Sequence, residues 1–367
     1  MPSYKEAYDT IVVGAGPSGS TAARELARGG QKVLLIDKEK FPRNKICGGL
    51  VPVKALNELD FEIPSCYIHH KIKKISVYTH KLKGTTYESN QLLGITISRI
   101  DLDHHLLNRA IAEGVQFYEN TKFYHVEQCQ DVMKIFTSTG IYYCKQLIGS
   151  DGVFSKVKNY VHNPTKVDRY KMGFSLSANL AIRNEKIPLD FKLFHIPIGH
   201  SMGWAIPYQK SIHVGIGGPA WKRNTFIKFF KSYLQDLKTF YEFDIEAIKI
   251  QGAFLPAGGF KRKIKQNNII LIGDAASFVD PLTGEGIYYA IRSGKIAAQQ
   301  ILQRNLWDYE RLCYEELYDP LRKGLVWSIL GINKGCARIK PLRKILCISF
   351  SKIMGKHEQK HSKYLIQ

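Results

Sequence analysis

The stretch Tyr8-Asp-Thr-Ile-Val-Val13, running into Gly14-Ala-Gly-Pro-Ser-Gly19 and then Ser20-Thr-Ala-Ala-Arg-Glu-Leu-Ala27, decides the fold. Its opening reads as a buried strand, which the glycines break at once before a helical pattern begins. A second apolar strand, Val33-Leu-Leu-Ile36, ends on the carboxylate of Asp37. Strand, glycine turn, helix, strand and terminal acid form a dinucleotide-binding βαβ unit. Gly14 permits the tight turn, Gly16 lets the backbone approach a pyrophosphate, and Gly19 with Ala23 lets the helix lie close to the sheet. The free N–H groups at the helix start, at the positive end of its dipole, are the seat for that pyrophosphate. Asp37 is placed to accept hydrogen bonds from a ribose and to repel a 2′-phosphate. A bare G-x-G-x-x-G is weak evidence; both strands, the helix and the spaced acid together make it specific.

With 367 residues, 44% of them hydrophobic and 23% charged, the chain has the make-up of a globular protein large enough for two connected lobes. The seven cysteines (Cys47, Cys66, Cys129, Cys144, Cys313, Cys336, Cys347) are scattered and contain no C-x-x-C pair. That argues for a reducing, cytoplasmic setting and against a disulfide framework or a zinc site. His69-His70 and His104-His105 lack the spacing to carboxylates or cysteines that a metal site needs, so no metal is expected. The N-terminus leads directly into the nucleotide-binding strand, so no secretory leader is expected. The longest apolar runs near the C-terminus, Leu325–Ile332 and Ile345–Phe350, fall well short of the ~20 residues of a spanning helix.

The formal charge of +21 is concentrated late in the chain. From Leu321 to Gln367 there are eleven lysines and arginines against one acid, Glu358, a net of +10. Apolar residues alternate with these cations, as in Pro341–Met354. Such a segment suits the anionic cytoplasmic face of a membrane, and it equally suits a solvated helix packed on its own domain. No recognised motif accompanies the charge, so nucleic acid is not an expected partner.

Along the chain, a Pro/Gly-rich loop follows Asp37 and leads to a short helix near 52–59. Strands are expected over 72–79 and 85–89, opening a second lobe, before Thr96–Arg99 returns to the first. Asp101 is a good N-cap for a helix ending at Gly114, and a strand follows at 115–118. The pattern predicts a hairpin from 124–139 to 141–144, then a separate parallel strand at Leu147 ending in Asp151-Gly152. From there to about Phe260 the pattern is β-rich, with a helix near 225–237. The resulting fold class is α/β. A Rossmann-like nucleotide lobe (1–70, 92–155, 262–310) is interleaved with an antiparallel-sheet lobe (71–91, 156–261), and a basic helical segment (311–367) follows.

The late stretch Ile269-Ile-Leu-Ile-Gly273-Asp274 is a buried strand ending on an acid. Asp280-Pro281 and the turn Gly284-Glu285-Gly286 then open a helix at Ile287. Asp274 can accept from the ribityl hydroxyls of a flavin. The N–H groups of Gly284–Gly286 can stabilise charge on a reduced flavin ring.

Together with Gly14–Gly19, Arg99 and Asp151-Gly152, this set resembles the flavoprotein superfamily of p-hydroxybenzoate hydroxylase over about Tyr8 to Gln300. The resemblance implies an FAD-binding lobe and a sheet-walled substrate lobe. It places the pyrophosphate on Gly14, Ala15, Gly16, Pro17, Ser18 and Gly19, and the adenosine ribose on Asp37 with Lys38 beside it. Arg43 and Arg99 fall near the phosphates or flavin, as do Cys47, Gly48, Asp151 and Gly152. Asp274, Pro281, Gly284, Glu285, Gly286 and Ile287 line the ribityl and flavin end. The family's usual Glu is here Asp37, a shorter arm. Gly215-Ile-Gly-Gly218 opens no helix, so no resident nicotinamide domain is expected. The electron donor must visit, leaving NADPH, NADH or ferredoxin open.

Two stretches resemble the geranylgeranyl reductase group within that superfamily. Pro42-Arg43-Asn-Lys45-Ile-Cys47-Gly48-Gly49 is similar to its P-R-x-K-x-C-G-G loop. Met202-Gly-Trp204-Ala-Ile206-Pro207 stands in place of its Y-x-W-x-F-P motif, with Met for Tyr and Ile for Phe. The resemblance implies hydride transfer to C=C bonds of a prenyl lipid, prenyl diphosphate or quinone. Trp204 and Pro207 would line the pocket, and Cys47 and Lys45 are the catalytic candidates. Cys47 can equally be a small packing residue. A monooxygenase shares the nucleotide motifs. A halogenase shares part of its W-x-W-x-I-P motif with 202–207, although the first Trp is missing. A basic membrane-surface protein keeping FAD as structure is the non-enzymatic alternative. The oligomeric state is not legible.

Overall fold

Tyr8–Val13 lies inside an eight-stranded sheet, hydrogen-bonded in parallel to Ile141–Gly149 on one side and Val33–Ile36 on the other. The structure is a computed structural model. It describes residues 7–78, 84–162, 172–182, 190–195, 201–241, 245–247, 249–257, 263–281 and 283–322, with 341, 344 and 348. Its described residues divide into two compact units. The first comprises Met1–Lys45, Arg99–Asp168 and Pro256–Lys323; the second includes Ile46–Ser98 and Arg169–Leu255.

In the first unit the parallel strands run Ile269–Leu271, Ile141–Gly149, Tyr8–Val13, Val33–Ile36, Gln116–Tyr118. Ile11, Val12, Leu34, Leu35 and Ile36 have no exposed surface, as expected of strands covered on both faces. The helices Pro17–Arg28, Arg99–Ala112 and Ile287–Leu302 bring the charged and glycine-rich termini to the sheet. The expected hairpin strand at 141–144 and parallel strand at Leu147 are one continuous strand, Ile141–Gly149. The polar pair Lys145-Gln146 does not break it, because Lys145 Nζ bonds Asp9 Oδ1 at 2.8 Å on the neighbouring strand. The preceding stretch is itself a hairpin, Phe123–Cys129 with Val132–Thr137. Arg99, not Asp101, begins the following helix, and Asp101 sits in its first turn.

The second unit holds a sheet in the order Ile245–Ala247, Gly173–Ile182, Ser211–Pro219, Met202–Pro207, Asp190–His195, Lys74–Tyr78, Gly84–Glu88. It is antiparallel except where Asp190–His195 meets Lys74–Tyr78. The helix Arg223–Tyr241 covers one face, with Phe226, Phe230, Tyr233 and Leu237 at helical spacing against Leu176, Ala205, Val214 and Ile216. Burial of Phe226 and Phe230 contributes about 1.5–3 kcal/mol each.

Residues 46–70 and 92–98, expected in the nucleotide lobe, group with the second unit. The reason is pairing: Gly94–Ile97 hydrogen-bonds to both Leu50–Pro52 and Ile68–Ile72 in a three-stranded sheet. The described residues 156–162 and 311–322 group with the first. There the fully buried Tyr309 donates its hydroxyl to the Leu271 carbonyl at 2.7 Å. The chain is helical from Tyr309 to Tyr318. Most of the basic stretch expected to meet a membrane surface lies outside the described residues. Among the described residues no helix is long and apolar enough to cross a membrane.

Candidate functional site

The glycine turn forms because nothing larger fits. Gly14 has φ +104, and a Cβ there would stand 2.3 Å from the Ser150 carbonyl oxygen. A Cβ at Gly19 would stand 1.9 Å from the Gly14 carbonyl oxygen. Ser18 and Ser150 join their hydroxyls at 2.6 Å, tying the turn to the next parallel strand. The helix starts at Pro17 with no side-chain cap at Gly16, leaving its first N–H groups for an anion. Asp37 is buried, accepting from the N–H of Ala15 at 2.7 Å and of Glu39 at 2.9 Å. Each carboxylate oxygen keeps acceptor capacity for a ribose hydroxyl. Lys38 extends into solvent beside Glu39.

A charge cluster stands beside this turn. Arg99 donates through Nε and Nη2 to the two oxygens of Asp103, both at 2.7 Å, and Arg43 Nη2 adds a third contact at 3.0 Å. Asp103 has no exposed surface. Arg43 also lies over the Phe41 ring, 5.0 Å from its centroid. Its Nη2 is 3.4 Å from the position of a Gly16 Cβ. The cluster carries a net positive charge and presents Arg43 to the glycine turn, whereas Arg99 is turned inward as the support. Sequence reading singled out both arginines and missed Asp103. The i,i+4 spacing of Arg99 and Asp103 was the available signal.

The late acid also sits here. Asp274 opens the short turn Gly273–Ala276, with Lys45 Nζ 3.3 Å from its Oδ2. A Cβ at Gly286 would be 3.7 Å from Asp274 Oδ1, so this carboxylate borders the start of the helix Ile287–Leu302. Asp280 shapes the preceding turn by accepting from Thr283 and Gly284 N–H, and Pro281 continues it. Glu285 Oε1 accepts from Tyr288 N–H at 2.6 Å, so its carboxylate caps that helix. Ile287 is buried. Asp151 likewise turns away, accepting from the Ser155 hydroxyl and the N–H groups of Lys156 and Val157. Burial pushes its pKa up. Gly152, at φ +82, has open space where a side chain would be.

In the second unit, the Cys47-Gly48-Gly49 loop packs on the sheet. Gly49 is left-handed at φ +62, and a Cβ there would meet the Tyr208 hydroxyl at 2.0 Å. That hydroxyl lies 3.2 Å from both the Gly48 and Ile97 carbonyl oxygens. A Cβ at Gly48 would stand 2.5 Å from Ile206 Cδ1 and 3.9 Å from Trp204 Nε1. Cys47 is a partly buried free thiol whose sulfur accepts from Gly49 N–H at 3.4 Å. Pro207 pairs with Ile212 of the helix-covered core, so strand alternation sets it on the opposite face from Trp204. Tyr208, the anchor of the loop, was not read from the sequence.

An uncapped helix start, an arginine over the glycine turn, a buried ribose acceptor and the open space at Gly152 together fit a dinucleotide such as FAD. Residues 7–302 match the family described as FAD binding domain. The chain belongs to that family. The flavoprotein is 32% identical over 304 residues to an uncharacterised protein of Methanosarcina barkeri, covering 82% of this chain and 76% of the relative. It is 29% identical over 324 residues to a menaquinone reductase of Mycobacterium tuberculosis, covering 83% and 79%. It is 25% identical over 345 residues to the digeranylgeranylglycerophospholipid reductase of Methanocaldococcus jannaschii, covering 89% and 87%. Among solved structures, a geranylgeranyl bacteriochlorophyll reductase-like protein of Thermoplasma acidophilum matches at TM-score 0.80 and 23% identity, covering 95% and 91%. A flavin-dependent brominase matches at TM-score 0.73 and 16% identity, covering 96% of each chain. The two structures speak for the fold alone. The flavoprotein is an FAD-dependent oxidoreductase, and its resemblance to the geranylgeranyl reductase group is borne out by these relatives.

Proposed function

We propose that this flavoprotein saturates C=C bonds of a geranylgeranyl-type chain carried by a lipid, a diphosphate or a quinone. One observation carries the reading. The Cys47-Gly48-Gly49 loop and the Trp204–Ile206 strand, far apart in sequence and each similar to a prenyl-reductase motif, touch at Gly48 and Ile206. The names of the menaquinone and digeranylgeranylglycerophospholipid reductases support the same substrate class.

An isolated C=C gives a protein no polar handle, so the chain must be held by apolar burial at ~0.8 kcal/mol per CH₂. Phe191, Leu193, Trp204 and Ile206 supply such a surface by strand alternation. Bound FAD in its reduced form supplies the hydride. Gly14–Gly19, Asp37, Arg43 and Asp274 hold and orient that cofactor, with Lys45 neutralising Asp274. Cys47 is the candidate for delivering or gating the proton. NADPH, NADH or ferredoxin is the reductant, and the basic C-terminal stretch brings the protein to an anionic membrane surface where prenyl lipids reside.

The test is anaerobic. The holoprotein is reduced with dithionite and mixed with geranylgeranyl lipid, geranylgeranyl diphosphate or menaquinone, and the flavin spectrum and product mass are followed. Reoxidation with a mass gain of two hydrogens placed in the prenyl chain by fragmentation is expected with at least one compound; a gain confined to the naphthoquinone head of menaquinone is quinol formation and counts against the reading. Reoxidation only by oxygen, with an oxygenated or halide-dependent product, would replace this reading with the monooxygenase or halogenase one.

A further inference from the structure

The sheet face away from the helix Arg223–Tyr241 carries two buried polar groups that the reductase reading does not use. Ile206 pairs directly with His213, and Trp204 with Gly215. Strand alternation places Trp204, Ile206, His213, Gly215 and Gly217 on this face, while Ala205, Val214 and Ile216 face the helix. Trp204 lies across the two glycines: a Cβ at Gly215 would stand 2.2 Å from its Cζ2, and one at Gly217 3.3 Å from its Cζ3. With that edge over Gly217, the indole N–H points the other way along the strand, towards His213. Gly48 borders both side chains. A Cβ there would be 3.9 Å from Trp204 Nε1 and 3.6 Å from His213 Cδ2. Trp204 Nε1 and His213 Nε2 are both buried, and neither has a hydrogen-bond partner among the described residues. His213 as a whole is only 6% exposed.

The chemistry of the missing partner follows from what each atom can do. His213 Nδ1 lies 2.8 Å from Asn179 Oδ1, which only accepts, so the ring proton sits on Nδ1. Burial pushes the imidazole pKa down to about 4, so the ring stays neutral near pH 7 and Nε2 offers a lone pair. Trp204 Nε1 only donates. A carbonyl would satisfy the indole but oppose the imidazole lone pair. A phosphate would set its negative charge against that lone pair, and neither Asn179, Ile206 nor Trp204 beside it carries a compensating cation. A hydroxyl accepts from one and donates to the other.

We propose that Trp204 Nε1 and His213 Nε2 form a neutral, hydroxyl-binding subsite beside Gly48. It takes the oxygen of an alcohol- or hydroquinone-type substrate head, or of one bound water. The proposal rests on the prenyl-reductase reading for the identity of the substrate, but not for the subsite itself.

The test uses the FAD-loaded protein and three probes with the same chain: geranylgeraniol, its methyl ether and geranylgeranyl diphosphate. Binding is read from the flavin absorbance change. Geranylgeraniol is expected to bind about tenfold tighter than the ether, the worth of one buried hydrogen bond. His213→Phe and Trp204→Phe should each remove that preference, and His213→Gln, which keeps an acceptor, should retain part of it. Retained flavin and an unshifted thermal transition show that the variants fold. Long-range ¹H–¹⁵N spectra of the histidines supply a second readout: Nδ1 carries the proton, and the His213 Nε2 resonance shifts on adding the alcohol. If alcohol and ether bind alike but the Trp204 indole N–H shows a cross-relaxation peak to a bound water in ligand-free protein, the bound oxygen is water. Equal binding with no such peak overturns the subsite, as does a protonated Nε2. A wild-type protein that neither binds nor reduces any prenyl compound fails the reductase reading instead, and the ligand-free spectra then decide the subsite alone.

Discussion

Arg43 Nη2 stands 3.0 Å from a carboxylate, that of Asp103, which has no exposed surface and is already held on both oxygens by Arg99. A buried acid between two guanidinium groups is costly to break from one side, because its removal leaves uncompensated charge. Asp103→Ala is therefore expected to lose about 3–5 kcal/mol of stability, read by thermal unfolding. It should also weaken FAD about tenfold, as Arg43 loses the partner that holds it beside Gly16, and flavin fluorescence titration measures this. Asp103→Asn, isosteric but uncharged, should fall between. Unchanged FAD affinity in a folded Asp103→Ala protein would show that the cluster supports the fold and not the cofactor.

The Cys-Gly-Gly loop hangs on Tyr208. Its hydroxyl stands 3.2 Å from the carbonyls of Gly48 and Ile97, and it sits where a side chain at Gly49 would be. Tyr208→Phe should cost about 1 kcal/mol and loosen the loop, raising KM for the prenyl substrate more than it lowers kcat. Gly49→Ala should be far worse, since its left-handed backbone and the tyrosine both exclude a methyl. Equal effects of the two substitutions would mean that the loop does not depend on this contact.

The nucleotide-binding unit was legible because its constraints are local. Gly14, Gly19 and Asp37 act through turn, close packing and strand end, all visible as spacing. The late Asp274–Gly286 stretch was legible for the same reason. Tyr208 and His213 were not, because each works through a partner distant in sequence or through burial on one face of a strand; Asp103 had a local signal in its spacing to Arg99, but its contact with Arg43 is distant in sequence. The strand partners of Gly94–Ile97 were not legible for a related reason. Nothing in Gly94–Ile97 announces that its hydrogen bonds go to Leu50–Pro52 and Ile68–Ile72. Pro207 was expected to line the pocket with Trp204 because the resembled motif carries both, whereas the period of two sets them on opposite faces of the strand. Asp151 and Glu285 were expected at the cofactor, and their carboxylates accept from backbone N–H groups of their own turns, a use that spacing alone does not show.

Cys47 accepts from the Gly49 N–H of its own loop at 3.4 Å, so Cys47→Ala should retain FAD and lose less than about 1 kcal/mol of stability. If the thiol delivers or gates the proton, turnover of a prenyl substrate falls by roughly 10²-fold while its binding is preserved. Stopped-flow reoxidation of the reduced protein separates the two. Turnover equal to wild type would leave Cys47 as packing and return the proton to another donor.

His213 predicts an acid limb in stability. Its ordinary value is 6.5, and burial lowers it to about 4 in the folded chain. Between those values the unfolded chain binds a proton that the folded chain does not, so stability falls as pH drops from about 6.5 towards 4. One such group contributes a slope of at most ~1.4 kcal/mol per pH unit in that window and none above it. Thermal unfolding from pH 4 to 7.5 on wild type and His213→Gln measures the difference, with the variant expected to show the shallower limb. Parallel limbs for the two proteins would mean that the imidazole titrates alike in both states and that burial does not hold it below its ordinary value.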